Sequence, residues 1–107
     1  MKSVGKPVAS RILTCIHKGA REEVAVRVGQ PREEDGYFSC EYEISLAGAT
    51  QTYKIAGMDG IHALQLAMFM AGSALASLPE TSHWAWNGEP HTGLPTSLDQ
   101  PITGLRS

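Results

Sequence analysis

Four histidines, two cysteines and one closely spaced aspartate–histidine pair are the side chains of this 107-residue chain on which chemistry could be built. His17, His62, His83 and His91 form no HxxH or HxH pair, and Cys15 and Cys40 form no Cys-x-x-Cys. A metal would need ligands gathered from separate segments, for instance His83, Glu89 and His91. No metal and no cofactor is expected. Nucleophilic catalysis by either cysteine lacks a local signature, so both read as buried reduced thiols. A disulfide between them would need adjacent strands and an oxidising compartment. Asp59 and His62 place a carboxylate beside an imidazole, which could polarise the histidine. The same spacing suits Asp59 as a helix cap, and that is the expectation. Gly57 and Gly60 could cradle an anion at a helix N-terminus, but the Asp59 charge opposes it. Walker, dinucleotide-binding and Gly-x-Ser-x-Gly patterns do not occur in the sequence. No catalytic residue is assigned; whether the chain is an enzyme stays open, with the balance towards no.

The element that must position these residues is the run Gly57–Pro79. Asp59 starts a helix and Pro79 stops it, so a helix is expected over 59–78. Ile61, Leu64, Ala67, Met68, Ala71, Leu75 and Leu78 recur at spacings of three and four, marking an inner face. The other side carries His62, Gln65, Leu66, Phe69, Met70, Ser73 and Ser77, without one Lys, Arg, Asp or Glu. A helix apolar nearly all round is normally covered twice. A cover over Leu66, Phe69 and Met70 is therefore expected: the tail, a second copy or a partner. A membrane span is not expected, because His62, Gln65, Gly72, Ser73 and Ser77 interrupt the run.

Ahead of the helix, residues 8–56 read as strands. Val8–Lys18 has residues fit for burial on both sides. Glu22–Gly29 alternates, with Val24, Val26 and Val28 on one face. Gln30–Gly36 is a charged loop. Tyr37–Leu46 alternates Phe38, Cys40, Tyr42, Ile44 and Leu46 against polar neighbours, and Gln51–Ala56 gives a short fourth strand. Short connections favour an antiparallel meander, and the helix is the element available to cover it. The expected fold is α+β: a four-stranded antiparallel β-meander under one long helix, with an irregular Trp/Pro/Gly-rich tail over 79–107. Trp84 and Trp86 alternate and are costly to expose, so residues 84–95 are expected to pack.

The length suits a single domain spanning 1–107. The net charge of −2, from 9 basic and 11 acidic residues, argues against nucleic-acid binding. Residues 1–7 lack the apolar core of a signal peptide, so the cytoplasm is the expected location.

Gly57-Met58-Asp59-Gly60-Ile61-His62-Ala63-Leu64-Gln65-Leu66-Ala67, then Trp86-Asn87-Gly88, then Gly93-Leu94-Pro95 resembles a group of small bacterial domains of unknown function. These share a Gly-x-Asp, Ala-Leu, Ala helix start and a later Trp with Gly-Leu-Pro. The resemblance covers roughly residues 8–96; it implies the fold and no activity. Glu34-Asp35-Gly36-Tyr37-Phe38 is also similar to the strand opening of some antitoxin folds, although the tail lacks their DNA-binding element. The expected role is a non-catalytic protein-interaction module: an immunity- or antitoxin-like partner, or a homodimer. Leu66, Phe69, Met70, Trp84 and Trp86 are its candidate contacts. The alternative is a small-molecule-binding protein or enzyme with a pocket between tail and sheet, lined by Tyr37, Tyr53, Trp84 and Trp86 with His83 or His91.

Overall fold

A computed structural model describes residues 7–17, 19–46, 48–77, 82–88 and 92–95. Strands β1 (Ala9–His17) and β2 (Ala20–Val28) form a hairpin whose register runs without interruption from His17↔Ala20 to Ala9↔Val28. Strands β4 (Phe38–Leu46) and β5 (Ala49–Gly57) repeat the arrangement, from Leu46↔Ala49 to Phe38↔Gly57. Both hairpins turn in two residues, the second being Gly19 or Gly48, each at φ 80°. Such positive φ is what tight hairpin turns require, and glycine supplies it without strain.

The sheet contains six strands rather than the expected four. One addition is β3 (Arg32–Glu33), inside the charged loop, which pairs with Ser39 and Phe38 of β4. Because β5 occupies one edge of β4 along its whole length, β3 shares the other edge with β2 and continues it beyond Gly29. The second is β6 (Ser82–Ala85), in the segment expected to be irregular, which pairs antiparallel with β1 from His17↔Ser82 to Thr14↔Ala85. Across the sheet the order is β5, β4, β2 with β3, β1, β6, every neighbour antiparallel.

One α-helix is present among the described residues, α1 (Gly60–Ala76), lying over β4 and β5 with lighter contact to β2. The architecture is therefore α+β. Leu13, Cys15, Val24, Val26, Val28, Cys40 and Tyr42 point from the sheet into a core closed by Ala63, Ala67, Ala71 and Leu75 of the helix. The buried helical line falls at every fourth residue and consists mostly of alanine, which lets the helix backbone approach the sheet closely. At its start the contact is tightest. A Cβ built on Gly57 would stand 2.5 Å from the Ala63 nitrogen and 2.7 Å from its Cα. No side chain larger than hydrogen fits there unless the helix backs away.

This line shifts the helix face from the one expected. Ala67, Ala71 and Leu75 are buried, and Leu64 and Met68 pack partly against the core, but Ile61 is 71% exposed. Pro79 and Leu78 lie outside the described residues. Nor is β1 covered on both sides: Leu13 and Cys15 point inward while Ile12 is 52% exposed. The outer sheet face is polar, with Arg27 Nη1 donating to Glu43 Oε1 at 3.0 Å.

Candidate interaction surface

The start of α1 is built by two reciprocal hydrogen bonds. Asp59 is extended, at φ −148° and ψ −178°, and its Oδ1 accepts from the His62 N–H at 2.8 Å. His62 Nδ1 in turn accepts from the Met58 N–H at 2.9 Å. This is the logic of a capping box, with histidine at the position usually held by Glu or Gln. Asp59 and His62 thus meet backbone groups and not each other's side chains, an arrangement that organises the helix end. The anion reading of Gly57 and Gly60 meets two obstacles here: the Asp59 carboxylate already holds an N–H of the first turn, and the space beside Gly57 is filled by Ala63.

Beyond the cap, α1 presents a surface without a charged residue as far as Ser77. Met58, just before the helix, is 84% exposed, and Ile61 and Gln65 are exposed on its first turns; Met70, about two and a half turns beyond Ile61 and so on the other flank, is 36% exposed. Leu66 and Phe69 are half-buried. Periodicity alone missed Met58 and Ile61. The signal that could have found Ile61 is the four-residue alanine spacing, which turns it off the sheet.

Trp84 and Trp86 sit elsewhere. Trp84 lies opposite Cys15 on β6, and both indoles pack half-buried against the core, together with Leu94. The Arg11 guanidinium carbon lies 3.7 Å from the Trp86 ring centroid. Arg11 Nη1 donates to the Thr92 carbonyl at 2.9 Å. Gly93, at φ 72°, leaves room for these groups: a Cβ there would meet the Trp86 ring at 2.6 Å and Arg11 Nη1 at 2.7 Å. The chain also passes Gly72 of α1, whose Cβ, if present, would lie 3.2 Å from Leu94 Cβ and 3.1 Å from the Pro95 carbonyl oxygen. Residues 92–95 therefore lie beside the helix, over the β1–β6 side of the sheet.

Tyr53 lies on β5, the sheet edge opposite β6, and its ring stacks on Tyr42 at 5.0 Å between centroids. Tyr37 is an exposed residue of the loop before β4. The four aromatic residues expected to line one pocket are thus divided between the two ends of the sheet. A groove of about 360 Å³ lies instead between the end of α1 and the β4–β5 hairpin, floored by Ile44, Leu46, Ala74 and Leu75, with Gln51, Tyr53 and Ser77 as polar lining.

Cys15 and Cys40 are buried thiols, neither joined in a disulfide. Strand β2 separates β1 from β4, so they are not paired neighbours. Burial, aided by the Glu41 charge, pushes the Cys40 thiol above its ordinary 9.0. A raised thiol is the opposite of an activated nucleophile. Burial, with Tyr53 beside it, likewise raises the Tyr42 phenol. On the outer face, the Ser39 hydroxyl donates to Glu34 Oε2 at 2.7 Å and Lys54 Nζ stands 3.5 Å from the same oxygen. The Ser39 bond first, and the Lys54 charge second, hold the Glu34 carboxyl below its ordinary 4.5. His17 and His83 lie on β1 and β6; Glu89 and His91 are outside the described residues. No three His, Cys, Asp or Glu side chains gather into a metal-sized cluster among the described residues.

With that geometry in hand, the family follows from sequence comparison. The model of a family described as Domain of unknown function (DUF6968) matches residues 9–96. The chain belongs to that family. No curated protein and no solved structure matches it. The matched span runs from the first residue of β1 to just beyond Pro95, so it takes in the sheet, the helix and the segment clasped by Arg11. No helix among the described residues is long and apolar enough to cross a membrane.

Proposed function

We propose that the chain is a non-catalytic protein-interaction module, one folded domain over residues 1–107 working in the cytoplasm, whose contact surface is the uncharged outer side of α1. Leu66, Phe69 and Met70 form its middle, and Met58 and Ile61 extend it towards the cap. The observation that carries the reading is a helix without charge that exposes Met58, Ile61 and Met70, with Leu66 and Phe69 half-buried between them. Water-facing helix surfaces ordinarily alternate with charge, and contiguous apolar exposure marks contact sites. Trp86 supports the surface by packing against Gly93 of the segment beside the helix flank, and Trp84 packs against the core from β6.

An immunity- or antitoxin-like partner and a homodimer are the forms such a module would take, by analogy with other small bacterial proteins. Co-expression with the product of the adjacent gene tests the reading. The wild-type chain is expected to co-purify with it. The double variant Ile61→Lys/Met70→Lys is expected to fold with an unchanged melting midpoint and to lose the partner. Co-purification that survives the double variant would overturn the assignment of the surface.

A second reading is favoured by the groove at the end of α1. Its volume, about 360 Å³, lies at the small end of the ligand-pocket range, and its apolar floor with a few polar groups is the usual composition. It would take a small, uncharged, mostly apolar molecule, since no charged residue lines it. Titration with benzyl alcohol followed by NMR at Leu46, Tyr53 and Leu75 separates the two readings.

A further inference from the structure

The two edges of the sheet are finished differently. At one end β1 is covered by the four-residue β6. At the other, β5 runs nine residues with no proline, no bulge in its register with β4, and no strand on its outer side among the described residues. Proteins ordinarily guard such an edge with charge, proline, a bulge or shortness. The one charged residue of β5 is Lys54, and its Nζ turns back on its own sheet, 3.5 Å from Glu34 Oε2. The guard is thereby neutralised.

We propose that β5 is a self-association edge: two copies of this chain pair antiparallel through β5 about a twofold axis at Tyr53, joining their sheets into one. The inference rests on the interaction-module reading and names a second copy as one partner. Sequence register carries the choice of partner. Pairing all nine residues of Ala49–Gly57 with themselves places the axis on the middle residue, Tyr53. In that register Lys54 faces Thr52 of the second copy, Gln51 faces Ile55 and Thr50 faces Ala56, so no like charges oppose each other. Tyr53 faces its own copy, on the same sheet face as the Tyr42 ring it stacks upon, which extends a row of two rings to four. The edge carries no acidic residue and one compensated lysine, so it offers nothing to a strongly charged partner and suits its own uncharged sequence.

Light scattering and sedimentation equilibrium of the full chain test this. The expected mass is twice the 11.5 kDa of the monomer. Thr52→Lys sets two like-charge pairs across the axis and Thr52→Glu two opposite-charge pairs. The first is expected to weaken the dimer and the second to tighten it, each on the order of 2- to 30-fold in dissociation constant. Tyr53→Cys is expected to give a covalent dimer under mild oxidation, whereas the wild type, with both cysteines buried, gives none. A monomer at every concentration overturns the inference and leaves binding to a different partner through α1 untouched. A dimer insensitive to both Thr52 variants and not trapped by Tyr53→Cys also overturns it. If such a dimer is lost in Ile61→Lys/Met70→Lys, self-association belongs to the helix surface, and the broader reading stands without β5.

Discussion

Arg11 clasps Trp86: its guanidinium carbon sits 3.7 Å from the ring centroid, and the same side chain reaches the Thr92 carbonyl. One residue of β1 thereby fixes two points of the segment after the helix, Trp86 just past β6 and Thr92. Removing it releases both. Arg11→Ala is expected to cost about 1–3 kcal/mol, from the cation–π contact and a charged hydrogen bond. It should also shift tryptophan emission to the red, since both tryptophans of the chain lie in this segment. Arg11→Lys should recover little, because an ammonium neither stacks nor forks as a guanidinium does. An unchanged emission maximum and unfolding midpoint would show that the clasp holds nothing.

Two nearby glycines should respond to alanine with opposite signs. Gly57→Ala drives a methyl into the backbone of Ala63 and is expected to destabilise by about 1–3 kcal/mol. At Gly60, the first residue of α1, the nearest atom to a new Cβ is Pro31 Cβ at 3.7 Å, an ordinary contact. There alanine should stabilise by about 0.4–1 kcal/mol, by restricting the unfolded chain. Chemical denaturation of the two variants decides it; equal effects would contradict the close approach at Gly57.

Asp59→Ala is expected to lower stability by about 1 kcal/mol, whereas Asp59→Asn, which keeps an accepting oxygen, should be near neutral. His62→Ala removes the reciprocal bond to Met58 and should be milder than Asp59→Ala. Urea unfolding monitored at 222 nm measures all three, and a larger loss from Asp59→Asn than from Asp59→Ala would refute the cap.

Stability should fall at both ends of the pH scale, for different groups. Cys40 and Tyr42 have folded-state pKa values raised by burial. Their contribution is complete below the unfolded values, ordinarily 9.0 and 10.0, and is lost as pH climbs from there through the folded ones. Glu34 is lowered by Ser39 and Lys54, so its contribution is complete above its ordinary 4.5 and is lost as pH falls through the folded value. Cys40→Ser and Glu34→Gln should flatten the alkaline and acid limbs respectively. A Cys40→Ser curve parallel to wild type above pH 9 would show that the thiol is not the alkaline group.

The sheet's long strands and the helix were legible because alternation and three–four spacing run through most of each element. What escaped was decided by contacts no local pattern encodes. Strand β3 is two residues inside a charged loop, ordered by β4 beside it. Strand β6 carries a visible alternation in Trp84 and Trp86, but its polar and Pro/Gly surroundings read as irregular. The helix phase slipped at Ile61 because apolar character was weighed above size: alanine, not isoleucine, fits where α1 nears Gly57. The candidate surface was half legible. Absence of charge marked the helix, whereas the placing of Met58 and Ile61 depends on that phase, and the β5 edge depends on strand order.

The most direct test of the helix surface is the methyl NMR spectrum of the methionines as the co-purified partner is titrated into the labelled chain. Met58 and Met70 lie on the proposed contact side and Met68 against the core. The account predicts that the Met58 and Met70 signals move or broaden while Met68 stays in place. A complex that forms with Met58 and Met70 undisturbed would contradict it.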